Sequence, residues 1–318
     1  MMIKNINQYK LKRRSIATLA SIARYLVLIA FAYILFYPFL FMAVNSIKST
    51  ADWLDPTVMW VPKGISFTNY RVAFKALNYL PSIGSTFLNQ VAAALISFFT
   101  CAVVGYGLAR FEFRGKKILI VFMLLCILVP DPMVMIASYD NFSHLDFLGI
   151  LGLFSKLFGA ELRPSIVDTP LVFWFTALFS VGLKNGLFIY IYMQFFKGLP
   201  KELEEAAWMD GAGPWKTFLR IVLPSSGAAA VTVLVFSVVW YWNDFYQAQI
   251  YLSGNYPISV VLATFKSHLT QDITRQFSFS LGSLIITSAF LSILPLLLYF
   301  LVMQRKFVQS ISTCGIVG

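Results

Sequence analysis

Few residues in this 318-residue sequence have a type and spacing suited to making or breaking bonds. His144 and His268 are isolated, and each reads as a solvated surface residue. Cys101, Cys126 and Cys314 have no paired spacing and no nearby histidine, so neither a disulfide framework nor a metal site is expected. A G-x-x-x-x-G-K-[ST] phosphate loop is absent, so the chain is not expected to bind or hydrolyse ATP by itself. The apolar stretches carry no paired acid–base or metal constellation, so no catalytic residue and no bound cofactor is assigned. What remains is the chemistry of binding and of mechanical contact. Lys184 and Asn185 lie inside an apolar stretch. An aromatic cluster, Trp240, Tyr241, Trp242, Phe245 and Tyr246, surrounds the polar Asn243 and Asp244. A polar loop, 197–224, interrupts the apolar sequence.

The elements that hold these residues are set by composition. The chain is 58% hydrophobic and 12% charged, with a mean hydropathy of +0.74. That balance belongs to the membrane class. A net charge of +11 also raises nucleic acid as a partner. The basic residues cluster at the ends of apolar stretches and form no basic face, so cytoplasmic loop charge and anionic lipid account for them instead. A membrane helix needs ~20 apolar residues to cross the ~30 Å hydrocarbon layer. Six stretches qualify: 25–47, 84–109, 118–139, 170–196, 227–251 and 280–303. Pro130 and Pro132 predict a kink or break near the outer end of the third. The run from Leu148 to Phe158 is apolar but too short to span, and reads as an interfacial or re-entrant piece of an external loop. The first stretch is too long for a signal-peptide core, and no small-residue cleavage site follows it, so it reads as a retained helix.

Orientation follows from lysine and arginine. Sixteen of them fall in the N-terminal arm 1–24, the loops 110–117 and 197–226, and the tail 304–318, against eight in the alternate loops. Cytoplasmic loops are the richer ones, so both termini are expected inside, with the six-helix domain over 25–303. Lys184 falls about midway along the fourth stretch. There an unpartnered lysine costs about 2.5–3.5 kcal/mol on insertion scales. It reads either as a hydrogen-bonding group for a polar or acidic solute, or as a residue that lies nearer the cytosolic end and snorkels, or that pairs structurally with a partner subunit. The aromatic cluster reads first as an interfacial belt or helix packing, and only second as a surface for stacking on a sugar ring.

The loop 197–224 reads as two short amphipathic helices joined by a turn. Leu199, Leu203, Ala206 and Ala207 share one face, and Trp215, Phe218, Leu219 and Val222 another. Gly211 and Gly213 offer the backbone freedom for a sharp turn. Pro214 suits the first position of the second helix, and Pro224 ends it. Basic and acidic residues balance in this segment, unlike those of a membrane-surface helix. A rigid knob of this kind suits docking into a groove on a partner.

Within it Glu205-Ala206-Ala207, Gly211, Ile221 and Leu223-Pro224 resemble in full the EAA motif of ABC importer permeases. Other stretches resemble the maltose-type carbohydrate-uptake branch. These are Tyr37-Pro38 with Asn45-Ser46-Ile47-Lys48, then Phe67-Thr68-Asn69-Tyr70, Gly105 to Phe111 with Phe113 to Lys116, and Trp242-Asn243-Asp244-Phe245. The tail Gly315 to Gly318 resembles that of the shorter subunit of the permease pair. Together they cover most of the chain from residue 36 onward. The external stretch 143–166 and Lys184 depart from the pattern and bear on the solute.

The resemblance implies an all-α membrane protein with a type I ABC importer permease fold, in the bacterial inner membrane. It implies a second permease subunit, an ATPase dimer that carries ATP and Mg, and an extracellular solute-binding protein. Glu205, Ala206, Ala207, Asp210, Gly211, Ile221, Leu223 and Pro224 would contact the ATPase, the glutamate pairing with a basic residue there. Lys184, Asn185, Trp240, Asn243 and Asp244 would be pathway candidates. The implied solute is a sugar or oligosaccharide. Alternatives are a polyamine, phosphate or amino-acid permease, or a membrane anchor or sensor without transport.

Overall fold

The computed structural model describes residues 2–146, 149–158, 163–269 and 280–314, and every regular element among them is helical. Among the described residues three helices are long and apolar enough to cross a membrane: Ala17–Ser46, Tyr79–Arg110 and Leu281–Gln309. Two further candidates are bent pairs. Lys116–Leu128 and Asp131–Ser143 meet at 107°, and Pro214–Ser225 and Gly227–Trp242 at 82°. The predicted stretch 170–196 is not one helix but two, Leu171–Leu178 and Asn185–Gly198. The chain divides into two compact units, Met1–Ala73 with Asp272–Phe290, and Phe74–Gln271 with Leu291–Gly318.

In the first unit, α1 (Met2–Ser46) runs through residue 24 without a break. Its C-terminal end is the buried part: Ser46 Oγ lies 2.7 Å from the Tyr70 hydroxyl, and Asn69 Nδ2 donates to the Lys48 carbonyl at 3.0 Å. Two of the sequence stretches singled out above therefore fold onto each other. Lys48 is buried and spends its ammonium on the Val58 and Met59 carbonyls, which form a small turn. Beside that turn Lys63 bonds to Asp55 at 2.6 Å and holds its carboxyl well below the usual carboxylate range. α2 (Thr50–Leu54) is capped by Ser49, whose hydroxyl accepts from the Asp52 N–H. Gly282 is required here, because a Cβ at that position would sit 2.9 Å from the Trp53 ring.

The second unit is built around the helix Tyr79–Arg110, here α4 (α3 being Thr68–Ala76). Its turn at Thr86–Val91 is widened to a π-helix and brings buried Gln90 to within 3.3 Å of Asp244. α5 (Lys116–Leu128) and α6 (Asp131–Ser143) form the first bent pair. The bend falls where expected, since Pro130 has no N–H to continue the ladder and forces Val129 into an extended conformation. α7 (Ile150–Phe158) has no buried residue. α8 (Leu171–Leu178) and α9 (Asn185–Gly198) pack on α4. At the closest approach of α4 and α9 a Cβ on Gly105 would lie 2.7 Å from that of Tyr192. α10 (Glu202–Met209) and α11 (Pro214–Ser225) form the loop knob, followed by α12 (Gly227–Trp242), α13 (Tyr246–Tyr251) and α14 (Ile258–Ala263). The last helix, α15 (Leu281–Cys314), contains Pro295. The Leu291 carbonyl that a residue-295 amide would have bonded accepts from the Tyr79 hydroxyl at 3.0 Å.

Candidate functional site

The knob is fixed to α4 by a charge pair. Arg110, the last residue of α4, donates from Nε to Glu204 Oε1 at 2.6 Å, and from Nη2 to the Leu199 carbonyl at 2.9 Å. Glu204 Oε2 accepts from the Tyr106 hydroxyl at 2.8 Å. The two charged side chains are only 7% and 5% exposed. This carboxylate therefore has both oxygens bonded, the condition under which an enclosed ion pair is tolerated. Tyr106 and Arg110 are one turn apart on α4, so they present their groups side by side. Next to them Lys116 lies 2.7 Å from Glu112 and lowers the pKa of that exposed carboxyl.

α10 thereby acquires an inner and an outer face. Glu204 and Ala207 are buried, whereas Glu205, Ala206 and Met209 are exposed. Of the Glu205-Ala206-Ala207 triplet, the last residue faces its own bundle and the first two face outward. Leu199 precedes the helix and cannot share its face as expected; it caps the end of α9. The turn is a Schellman motif: Gly211 has φ +78° and the Ala212 N–H bonds to the Ala207 carbonyl at 2.9 Å. Gly213 needs no such freedom, as its φ is −73°. Asp210 is exposed at the end of α10. Pro214 opens α11, as its missing N–H predicts. Phe218 and Val222 are buried against Tyr106 and Phe196, with ring centroids 5.1 Å apart for Tyr106 and Phe218. Trp215 and Leu219 stay exposed, Ile221 and Leu223 are half-buried, and Pro224 is exposed. The π-turn Phe218–Val222 lets α11 continue one residue past Pro224.

The pathway candidates lie elsewhere in the same unit and do not converge. Lys184 is not mid-helix. It sits at the break before α9, with a left-handed φ of 59°, as does Ser180 at 57°. Its ammonium is 2.8 Å from Asp131, the first residue of α6 at the other break. Asn185 is buried. With its amide turned to suit its neighbours, it donates to Ser97 and the Leu183 carbonyl and accepts from the Gly182 N–H. The Tyr241 hydroxyl closes the same knot, accepting from the Leu183 N–H at 3.1 Å and lying 3.0 Å from Ser97. Trp240 packs between Phe188 and Phe236. Asn243 is exposed and donates to the Val239 carbonyl of its own helix. Asp244 is buried, holding the Gln247 N–H and Gln90. His144 is exposed 3.9 Å from Asp140. The His268 side chain and the tail Gly315 to Gly318 lie outside the described residues.

A family model for the binding-protein-dependent transport system inner membrane component matches residues 101–313, which take in both the knob and the ion pair at the breaks. The chain belongs to that family. Its relatives among these inner membrane components include a probable starch degradation products transport system permease protein of Thermoanaerobacterium thermosulfurigenes, 25% identical over 86% of this chain and 89% of its own length. The diacetylchitobiose uptake system permease protein of Streptomyces coelicolor is 28% identical over 90% and 85%. The trehalose transport system permease protein of Mycobacterium tuberculosis is 27% identical over 88% and 92%. A chain of a bacterial ABC transporter involved in the import of the acidic polysaccharide alginate shares the fold, with a TM-score of 0.69 at 20% identity over 91% of this chain and 96% of that one.

Sequence reasoning assigned no contact to the three residues of the clamp that holds the inner membrane component's knob, Tyr106 and Arg110 of α4 and Glu204 of α10. In the sequence Arg110 reads as loop charge. Its position at the very end of an apolar helix, 94 residues before Glu204 and about as far from Glu202 and Glu205 beside it, gives no signal of which glutamate it meets. Asp131 was missed for the same reason, although an aspartate between two prolines in an apolar stretch is itself a signal.

Proposed function

We propose that this chain is one of two permease subunits of an ATP-driven importer of a sugar or oligosaccharide, and that its knob receives the motion of a separate ATPase. The observation that carries the reading is the Arg110–Glu204 clamp at 2.6 Å, with Glu205, Ala206 and Met209 turned outward on the same short helix. A helix held at its inner face by an enclosed ion pair and by Phe218 cannot slide independently of α4. A push on its outer face therefore moves α4 and α9 with it, as a rigid body. ATP and Mg would be held by the partner ATPase dimer, and an extracellular binding protein would deliver solute. Both termini and the knob would face the cytoplasm of the inner membrane. The sugar assignment is supported by the names of three relatives, all transporters of saccharides.

Glu205→Lys reverses the charge on the exposed face without touching the clamp. The expected outcome is a folded, membrane-inserted chain that co-purifies with its partner permease but recovers less ATPase, and supports less uptake. Full ATPase recovery and full uptake in that variant would remove Glu205 from the docking face.

A further inference from the structure

Lys184 and Asp131 stand at two of the helix breaks in this unit, and both line one cavity of about 460 Å³. That volume lies within the usual range for small-molecule sites. The other walls are mostly apolar, from residues such as Met123, Cys126, Val134 and Val181. The charged pair is therefore the chief polar feature of the cavity, and each side chain is about one third exposed, at 35% and 31%. Both side chains therefore keep donor and acceptor positions that a molecule in the cavity can reach. Asn185 and Tyr241 already fasten the break before α9 with neutral hydrogen bonds.

From this geometry we propose that Lys184 and Asp131 form a hydrogen-bonding site for a neutral, polyhydroxylated solute, a proposal that rests on the importer reading above. An ammonium carries three donors and a carboxylate about four acceptor positions. Their mutual bond at 2.8 Å uses one of each. The lining is charge-balanced. An anionic solute would compete with Asp131 for one cation, and a cationic one would meet Lys184 as a like charge. A sugar offers hydroxyls that donate to Asp131 and accept from Lys184 without separating the pair. The apolar walls then cover the C–H faces of the ring. No proton or bond need be transferred.

The test uses the whole importer, with partner permease, ATPase subunits and binding protein in proteoliposomes, and radiolabelled maltotriose, trehalose and raffinose as probes. Import of one of them establishes the importer reading; import of none removes that reading and this site with it. The imported sugar is then tested for equilibrium binding to the permease–ATPase complex purified without binding protein. The expected result is saturable binding, weakened about tenfold or more by Lys184→Gln and by Asp131→Asn. The exchange Asp131→Lys with Lys184→Asp should not restore it, although the complex still assembles. The site is overturned, with the importer reading intact, by any of three results: absence of binding at millimolar sugar, unchanged affinity in both single variants, or full recovery in the exchanged pair. The last is the behaviour of an ion pair that only holds helices together.

Discussion

Arg110 and Glu204 set the stakes at single-residue scale, because a nearly enclosed charge is tolerated only while its partner is present. Glu204→Ala leaves the guanidinium with the Leu199 carbonyl alone and should lower stability by about 3–5 kcal/mol. Replacing both residues, Arg110→Met with Glu204→Leu, should cost much less, since no charge is stranded. Glu205→Ala, one residue away but exposed, should change stability by less than about 0.5 kcal/mol. Thermal unfolding of the purified chain in detergent compares the three. Equal midpoints for Glu204→Ala and Glu205→Ala would mean that the clamp does not hold the knob. The contrast also marks what a sequence can carry at this scale. Glu202, Glu204 and Glu205 look alike in the string, and only the distant Arg110 distinguishes the one that turns inward.

At the scale of elements, apolar length and proline were legible, and the breaks without proline were not. The bend near Pro130 follows from a missing N–H. The break before α9 falls at Ser180 and Lys184, residues that ordinarily avoid a left-handed backbone, and its local signals, Gly182 and Asn185-Gly186, sit inside an apolar run that masks them. It is imposed by tertiary bonds from Tyr241 and Asn185, and the hydropathy of 170–196 simply runs across it. The knob was read more fully because its signals are local: the glycine turn and Pro214 each act within a few residues. The pair Gly105 and Gly107 separates packing from motif. A Cβ on Gly105 would meet Tyr192 Cβ at 2.7 Å and the α9 backbone at 3.1 Å, so α4 and α9 would have to part. Gly105→Ala should cost about 1–3 kcal/mol, as overpacking does. At Gly107 a Cβ meets nothing within 4 Å. Gly107→Ala should instead gain about 0.5–1 kcal/mol from reduced backbone entropy in the unfolded chain. Unfolding midpoints that move in the same direction for both would refute the packing assignment.

For the whole molecule, the most informative quantity is the one least tied to local geometry, the distribution of lysine and arginine along the chain. It assigns sides to loops whichever way the helices between them bend, because it acts on insertion. On that basis the loop around Glu112 and the knob are expected on the side of both termini, and the turns around Asp55 and Asn255 on the other. All four places are described as exposed or half-buried, so a probe can reach them. The prediction uses a chain whose own thiols, at Cys101, Cys126 and Cys314, are replaced by alanine. Single cysteines placed at Asp55 or Asn255 should react with a membrane-impermeant maleimide in cells whose outer barrier alone is opened. Cysteines at Glu112 or Met209 should react only after the inner membrane is permeabilised. Labelling of Asn255→Cys and Met209→Cys from the same side would require an odd number of crossings to be added or lost between residues 209 and 255. α12 is the helix that fills that interval. With only 16 residues it reaches about 24 Å at 1.5 Å per residue, short of a ~30 Å hydrocarbon layer. Opposite labelling would therefore mean that α12 crosses together with residues that follow it, such as those of α13, and that the 82° bend lies at the membrane surface where the knob ends.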